Sequence, residues 1–350
     1  MVFLQSDRLK PSGGDVLFAS RQTLKTQTMQ PANTIKHGKD NPLRIFAPAT
    51  IANIGCGFDI MGMTLEGVGD EIEIAVSEGS GIVIRNDTDI KLPGDIEKNV
   101  MTPALRAMLA TLGEDYRIEI TVIRKILPGS GIGSSAAASS AAVTGLNECL
   151  GCPCGEKQLV IFAMEGERLV SGGTAHADNV GPAITGGIML IRGYDPLDYV
   201  KIPAPASLYV AVIHPHITVS TLEGRAVMPK EIPLRTAVAQ WGNVGGLVAG
   251  LLTGDLGLVS RSIRDAVAEP CRKQFIPGYD DLKEKIVSSG ALASNIAGSG
   301  PSVFALCDSA ESAQTAGKAM KEHFDSRNIE SDLYVSKISD KGARVIGGGQ

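Results

Sequence analysis

The chain has 350 residues, a formal net charge of −5 and only 4% aromatic residues. That length leaves room for two domains with buried cores, while the acidic, aromatic-poor composition argues against a nucleic-acid partner, which needs clustered basic groups and stacking platforms. No apolar run reaches the ~18 residues of a membrane span, so no membrane partner is expected.

Residues 1–41 carry Lys10, Arg21, Lys25, Lys36 and Lys39, are rich in Thr and poor in acids, and lack the apolar centre of a signal peptide. A transit peptide shares that composition; a disordered, solvated extension on a cytoplasmic protein is the simpler reading. Arg44 to Phe46, Glu71 to Val76 and Ile82 to Ile84 read as strands, and Val100 to Leu112 as a helix. Arg117 to Leu127 reads as a further strand, because Ile118, Ile120 and Val122 alternate with polar residues. It runs into Pro128, Gly129, Ser130, Gly131, Ile132, Gly133, Ser134, Ser135, Ala136, Ala137 and Ala138, which open a small-residue helix that Gly151 stops after Leu150. Gln158 to Arg168 reads as helical and Gly186 to Arg192 as a buried strand. The proline-rich, loosely polar run from Tyr194 to Pro205 marks the domain junction, dividing residues 42–200 from 201–346. Beyond it Tyr209 to His214 is a strand, Thr236 to Gly254 and Leu256 to Ala268 are helices, and Asn295 to Cys307 joins a turn to a strand.

Strand, glycine loop and helix start together make an anion site. Free backbone N–H groups and the positive end of the helix dipole converge where no Cβ blocks a phosphate. A P-loop of the Walker type is excluded, since it needs a Lys before the hydroxyl residue and none occurs between Lys125 and Lys157. A dinucleotide fingerprint fits Gly131-Ile-Gly133-Ser-Ser-Ala136, but the acid at a tolerable distance, Glu148, falls inside the helix rather than at the end of a following strand. The plain alternative is a Gly/Ala turn that packs a helix tightly on a sheet. Cys149, Cys152 and Cys154 lack a fourth metal ligand at finger-like spacing, and Cys56, Cys271 and Cys307 are scattered, so all six read as reduced thiols.

Two further segments accompany the glycine loop. Ala47-Pro-Ala-Thr-Ile-Ala-Asn-Ile-Gly-Cys-Gly-Phe-Asp59 follows a short apolar run, and Ala297-Gly-Ser-Gly-Pro-Ser302 precedes the strand at Val303 to Cys307. Three segments in this order resemble the GHMP kinases, small-molecule kinases named for galacto-, homoserine, mevalonate and phosphomevalonate kinases. Asn53, Gly55, Gly57, Phe58 and Asp59, with Ser171-Gly172, His176-Ala-Asp-Asn-Val-Gly-Pro182 and Gly186-Gly187, resemble the homoserine kinase branch; the likeness covers Pro42 to Ile346. It implies an α/β (α+β) fold: an N-terminal ribosomal-protein-S5-domain-2-like domain with a left-handed β-α-β element, and a C-terminal ferredoxin-like domain. The implied reaction uses ATP and Mg2+ to phosphorylate the side-chain hydroxyl of L-homoserine, giving O-phospho-L-homoserine on the way to threonine. A homodimer is a family-level expectation. The rival readings are another GHMP kinase of the mevalonate or isoprenoid-precursor type, and a non-catalytic nucleotide-binding paralogue.

The resemblance also implies roles. ATP's phosphates sit on Gly129 to Ser135, and Ser135 faces the metal with a carboxylate, because a hard cation wants anionic oxygen. Glu167 matches a Gly-Glu pair of homoserine kinases, although one extra residue near Gly173 and Thr174 leaves Glu165 as the alternative. Asp59 takes the substrate ammonium with Asn53 beside it. Arg225, four residues after Thr221, and Arg272 take the carboxylate, for which planar forks suit bidentate pairing. His176 adds a donor, and Gly298, Ser299 and Gly300 line the substrate end. Asn179 orients the acceptor hydroxyl with Asp178 in support, and a role for Asp178 as base stays open. His37, His214, His216 and His323 lie outside the motifs and receive no role.

Overall fold

The computed structural model describes residues 35–348. Its strands are β1 (Leu43–Ala52), β2 (Met61–Ser77), β3 (Gly81–Asn86), β4 (Arg117–Arg124), β5 (Ile188–Tyr194), β6 (Leu197–Ile202), β7 (Tyr209–Pro215), β8 (Ala293–Ile296), β9 (Val303–Cys307), β10 (Ser331–Lys337) and β11 (Arg344–Gly348). The first sheet runs β11-β1-β2-β4-β3, with β5 also on β2 and β6 on β5. The 17-residue β2 serves both branches: Met61–Met63 pair with β5, and Glu71–Ser77 with β4. Its ladder with β1 slips between Pro48 and Thr50, where a proline supplies no N–H donor.

Helix α1 (Met101–Leu112) joins β3 to its parallel partner β4, making the expected β-α-β unit. Helix α2 (Ser134–Cys149) packs on β1 and β2, and α3 (Glu156–Val170) packs on α1 and α2. From Ala136 to Asn147 α2 is buried all round, as a helix between a sheet and a second helical layer must be.

After α4 (Val180–Thr185), the chain adds α5 (Thr221–Ala226), α6 (Leu234–Thr253), α7 (Leu256–Ser262), α8 (Glu269–Arg272), α9 (Tyr279–Ser288) and α10 (Ala310–Asp325). The second sheet is antiparallel in the order β10-β7-β9-β8. A chain order of strand, helix, two strands, helix, strand with that spatial order is the ferredoxin-like arrangement. One face of this sheet buries Ala211, Ile213 and Val303 against Leu282, Ile286, Met320 and Phe324 of α9 and α10. The other face places Val210, Val212, Phe304 and Leu306 in the core shared with the first sheet. Among the described residues no helix is long and apolar enough to cross a membrane.

Several expectations change. The run from Tyr194 to Pro205, read as the domain junction, holds a strand: Leu197–Ile202 form β6, antiparallel to β5, with Leu197 and Ile202 buried. A division at residue 200 therefore cuts a strand, and β11, from the far end of the chain, also belongs to the first sheet beside β1. The helix read over Leu256 to Ala268 ends at Ser262, because the buried Asp265 carboxylate accepts the N–H groups of Val267, Ala268 and Glu269 and so starts α8 instead. The extension read over residues 1–41 lies outside the described residues as far as 34. Its last part packs on the first domain: Lys36 N–H donates to Cys149 O, and His37 O accepts from Val76 N–H.

Candidate active site between the two sheets

The three motif segments, far apart in sequence, touch one another. Thr50 N–H donates to Ile132 O (3.1 Å), Gly298 N–H to Ala52 O (3.3 Å), and Ser302 Oγ to Ser130 O (2.5 Å). Glycine is required at two of these contacts, both at positive φ. A Cβ on Gly131 would stand 2.5 Å from Gly300 O, and one on Gly133 would stand 2.0 Å from Thr50 Oγ1. This corrects the reason for Gly131: its bare Cα makes room for the Ala297–Gly300 backbone rather than for a phosphate.

Gly133 is the left-handed cap of α2, so the helix N-terminus opens directly from the loop. Of the paired hydroxyls, Ser134 is committed inward. Its Oγ donates to Ile126 O (2.9 Å) and accepts from Lys125 Nζ (2.7 Å), which also binds Ser134 O and, at 2.6 Å, Asp70. Ser135 instead faces the Glu167 carboxylate, close enough to favour its charged form. Glu167 is buried, its Oε1 has no partner, and burial pushes its carboxyl above the usual range. Glu165 lies outside, paired with Arg168 at 3.1 Å. The geometry therefore brings Glu167, not Glu165, to Ser135. A buried, unpartnered carboxylate oxygen beside a hydroxyl at a helix N-terminus is a donor set that fits a hard divalent cation.

On the acceptor side Asp59, at φ 61°, receives Arg225 bidentately, through Nη2 at 2.8 Å and Nη1 at 3.2 Å. His176 Nδ1 lies 3.6 Å from the same carboxylate. Burial holds the His176 imidazole below its ordinary range, and its Nε2 and the Nε of Arg225 are buried without partners. The Arg225 and Arg272 guanidinium carbons lie 5.7 and 5.1 Å from the Phe58 ring centre, each within cation–π range. Arg272 is only 4% exposed; its Nε donates to Gly224 O (3.0 Å) and its Nη1 to Gly298 O (2.8 Å). It thereby ties the α5 segment that starts at Thr221 to the turn carrying Gly298, Ser299 and Gly300. Asn53 spends its amide internally, Oδ1 on Asp59 N–H and Nδ2 on Gly298 O, so it shapes the loop that presents Asp59.

Between the two halves lie Asp178 and Asn179. Thr50 Oγ1 donates to Asn179 Oδ1 at 2.7 Å. Asp178 is buried, and its carboxyl is pushed up to about 8, first by burial and then by Asp59 and Glu167, against the pull of Arg225. Sequence reasoning gave no role to Thr50, Phe58, Lys125 or Tyr194. Thr50 and Phe58 stand inside a quoted motif, and Lys125 served only as the edge of a lysine-free stretch. Tyr194, whose hydroxyl donates to Asp59 O at 2.7 Å, lay in the run read as the domain junction. A cavity of about 390 Å3 borders Phe58 and Arg225, and one of about 570 Å3 lies behind α8. Neither opens on the glycine loop, so converging unpartnered polar atoms, not concavity, mark the site.

Residues 99–187 match the family model of the GHMP kinases N terminal domain, and residues 247–326 that of the GHMP kinases C terminal. The chain is 46% identical over 318 residues to homoserine kinase of Chlorobium phaeovibrioides, spanning 87% of this chain and 99% of that protein. To homoserine kinase of Chlorobium phaeobacteroides it is 44% identical over 318 residues, with the same coverage. The crystal structure of homoserine kinase from Cytophaga hutchinsonii matches with a TM-score of 0.84 and 48% identity, covering 90% of this chain and 100% of that one.

Proposed function

The chain belongs to the homoserine kinases of the GHMP kinase family, and on that premise we propose how its residues carry the reaction. The enzyme transfers the terminal phosphoryl group of ATP to the side-chain hydroxyl of L-homoserine, giving O-phospho-L-homoserine on the way to threonine. One observation supports the assignment of roles above the rest: Glu167 Oε1, His176 Nε2 and Arg225 Nε are buried without partners, and the buried Asp178 feels the charges of Glu167 and Arg225. Native proteins rarely leave such atoms unpaired unless a ligand satisfies them.

Phosphoryl transfer asks the protein mainly for positioning and charge neutralisation. ATP's phosphates would lie along Gly129 to Ser135, on backbone N–H groups and the α2 dipole. Ser135 and Glu167 would hold Mg2+, which when bound neutralises charge on the phosphate oxygens. Homoserine carries an ammonium and a carboxylate, and Asp59 and Arg225 supply one opposite charge each. In the ligand-free cleft they neutralise each other; a zwitterion exchanges that one internal pair for two external ones. Arg272 is the second carboxylate partner, and His176, neutral, is a further donor.

Because Thr50 occupies Asn179 Oδ1, the Asn179 amide nitrogen is the end left to face the acceptor hydroxyl. That hydroxyl oxygen bonds to phosphorus as the bond from phosphorus to the ADP oxygen breaks, and its proton passes late to an oxygen of the transferred phosphoryl group. A carboxyl with a pKa of about 8 is mostly protonated at neutral pH, which favours Asp178 as support over Asp178 as base. Mevalonate-type acceptors have no ammonium and make no use of Asp59. We place the domain division after Ile202, and assign the enzyme to the cytoplasm because its cysteines are free thiols, four of them buried. Measuring ADP release with L-homoserine, mevalonate, galactose and no acceptor tests the assignment. Faster release with mevalonate than with L-homoserine would overturn the substrate and leave the ATP site standing.

A further inference from the structure

Strand β7 ends in His214-Pro215 and is followed by His216, while Glu330 and Ser331-Asp332 lead into β10. The ladder sets His214 opposite Asp332 and Pro215 opposite Ser331, and His216 N–H donates to Glu330 O at 2.8 Å. Residues two apart on a strand share a face, so two imidazoles and two carboxylates stand together in cross-strand pairs. His216 Nε2 is 3.0 Å from Asp332 Oδ2, and His214 Nδ1 is 3.8 Å from the same oxygen. One donor atom from each of His214, His216 and Asp332 lies within 4.8 Å of the other two. Donors bound at ~2.0–2.1 Å around a tetrahedral ion sit roughly 3.3 Å apart, so only small side-chain shifts separate this cluster from a coordination shell.

The remaining nitrogen of His216, Nδ1, lies 3.4 Å from Glu330 Oε2. Metal-bound imidazoles commonly give their second nitrogen to a carboxylate in this way, which fixes the ligating nitrogen. None of these four residues has a part in phosphoryl transfer. Two residues beyond His216, the Thr218 methyl is the nearest atom that a Cβ on Gly129 would meet, at 3.6 Å, so the segment leaving the cluster reaches the phosphate loop.

We propose that His214, His216 and Asp332 form a second metal site, for a divalent transition ion of the Zn2+ and Co2+ class, with Glu330 orienting His216. Two imidazole donors select such ions over Mg2+, which prefers an all-oxygen shell. Without metal, the contact between His216 Nε2 and Asp332 Oδ2 holds the two strand ends together. Metal binding ties β7 to β10, steadying the strand end that leads to Thr218.

The full-length protein, stripped of metal and kept free of Mg2+, is titrated with Co2+ and then with Zn2+. One equivalent of Co2+ with tetrahedral d–d absorption is expected, displaced by one equivalent of Zn2+, with a rise in Tm. His216→Gln and Asp332→Asn, at side chains 37% and 39% exposed, should fold, as circular dichroism will report, and weaken Co2+ binding by at least 10-fold. Glu330→Gln should weaken it about 10-fold. Activity with Mg2+ and ATP should be unchanged in all three. Undetectable Co2+ binding, equal affinity in folded His216→Gln and Asp332→Asn, or a thiolate charge-transfer band placing the ion on cysteine would each overturn the proposal.

Discussion

Replacing Arg225 with Leu tests its proposed pairing with the substrate carboxylate apart from everything else in the cleft. The Arg225 and Asp59 side chains are 28% and 24% exposed, so their own pairing contributes only ~0–1 kcal/mol to stability. The variant should fold with Tm lowered by a few degrees at most. Substrate binding is more sensitive. A fork on a carboxylate makes two charge-assisted hydrogen bonds at ~1.5–3 kcal/mol each. From that sum must be taken the internal Asp59 pair opened on binding and the contacts Arg272 retains. A net loss of about 1.4–2.7 kcal/mol remains, a 10- to 100-fold rise in the homoserine KM. The ATP KM should stay put. Arg225→Lys, which keeps the charge and loses the fork, should fall between. Arg272→Leu is a poorer probe, because it also removes a donor from the carbonyls of Gly224 and Gly298 and so should cost both Tm and activity. The two losses should combine less than additively, since they share one carboxylate. The assay is steady-state ADP release at saturating ATP with homoserine varied. A KM within two-fold of wild type in folded Arg225→Leu would refute the pairing.

Glu167→Gln keeps shape and removes charge, so it should raise the Mg2+ concentration for half-maximal rate at least 10-fold, while Glu165→Gln, on the outer face, should leave that curve alone; the reverse pattern would sink the assignment. Gly131→Val should destabilise the whole molecule by more than ~2 kcal/mol in urea unfolding, because its Cβ meets the Gly300 backbone; a stable variant deficient only in ATP binding would count against that packing. The Asp178 carboxyl has a pKa of about 8 when folded against 3.8 otherwise, so the stability it contributes is complete below about pH 4 and is lost as pH rises towards 8. Asp178→Asn should therefore gain Tm over wild type by a margin that widens from pH 4 to pH 8, with turnover within about 10-fold. A thousand-fold loss of turnover would make Asp178 the base.

The features that depend on neighbours along the chain were legible in the amino-acid order. Alternation at Ile118, Ile120 and Val122 announced β4, the glycines and small residues announced the loop and α2, and three spaced motifs announced the family, its fold and its reaction. The features that depend on partners far along the chain were not. Ser134 and Ser135 are adjacent and chemically identical, and only the inward reach of Lys125 and Ile126 commits one and frees the other. Glu165 and Glu167 stand about 200° apart around α3, so one must face in and one out. Which one depends on how α3 packs against α1 and α2, and no local signal carries that. Tyr194 to Pro205 read as a domain junction because its polar residues and prolines are what a hairpin edge shares with a loop; its ladder with β5 shows a strand there. Gly131 read as an opening for phosphate until the Ala297–Gly300 turn, more than 160 residues on, was seen to fill the space. Local propensity acts through bonds and short spacings and can be read in one dimension. Register, facing and the choice between two like side chains are set by contacts across long loops, and only the folded chain brings those together.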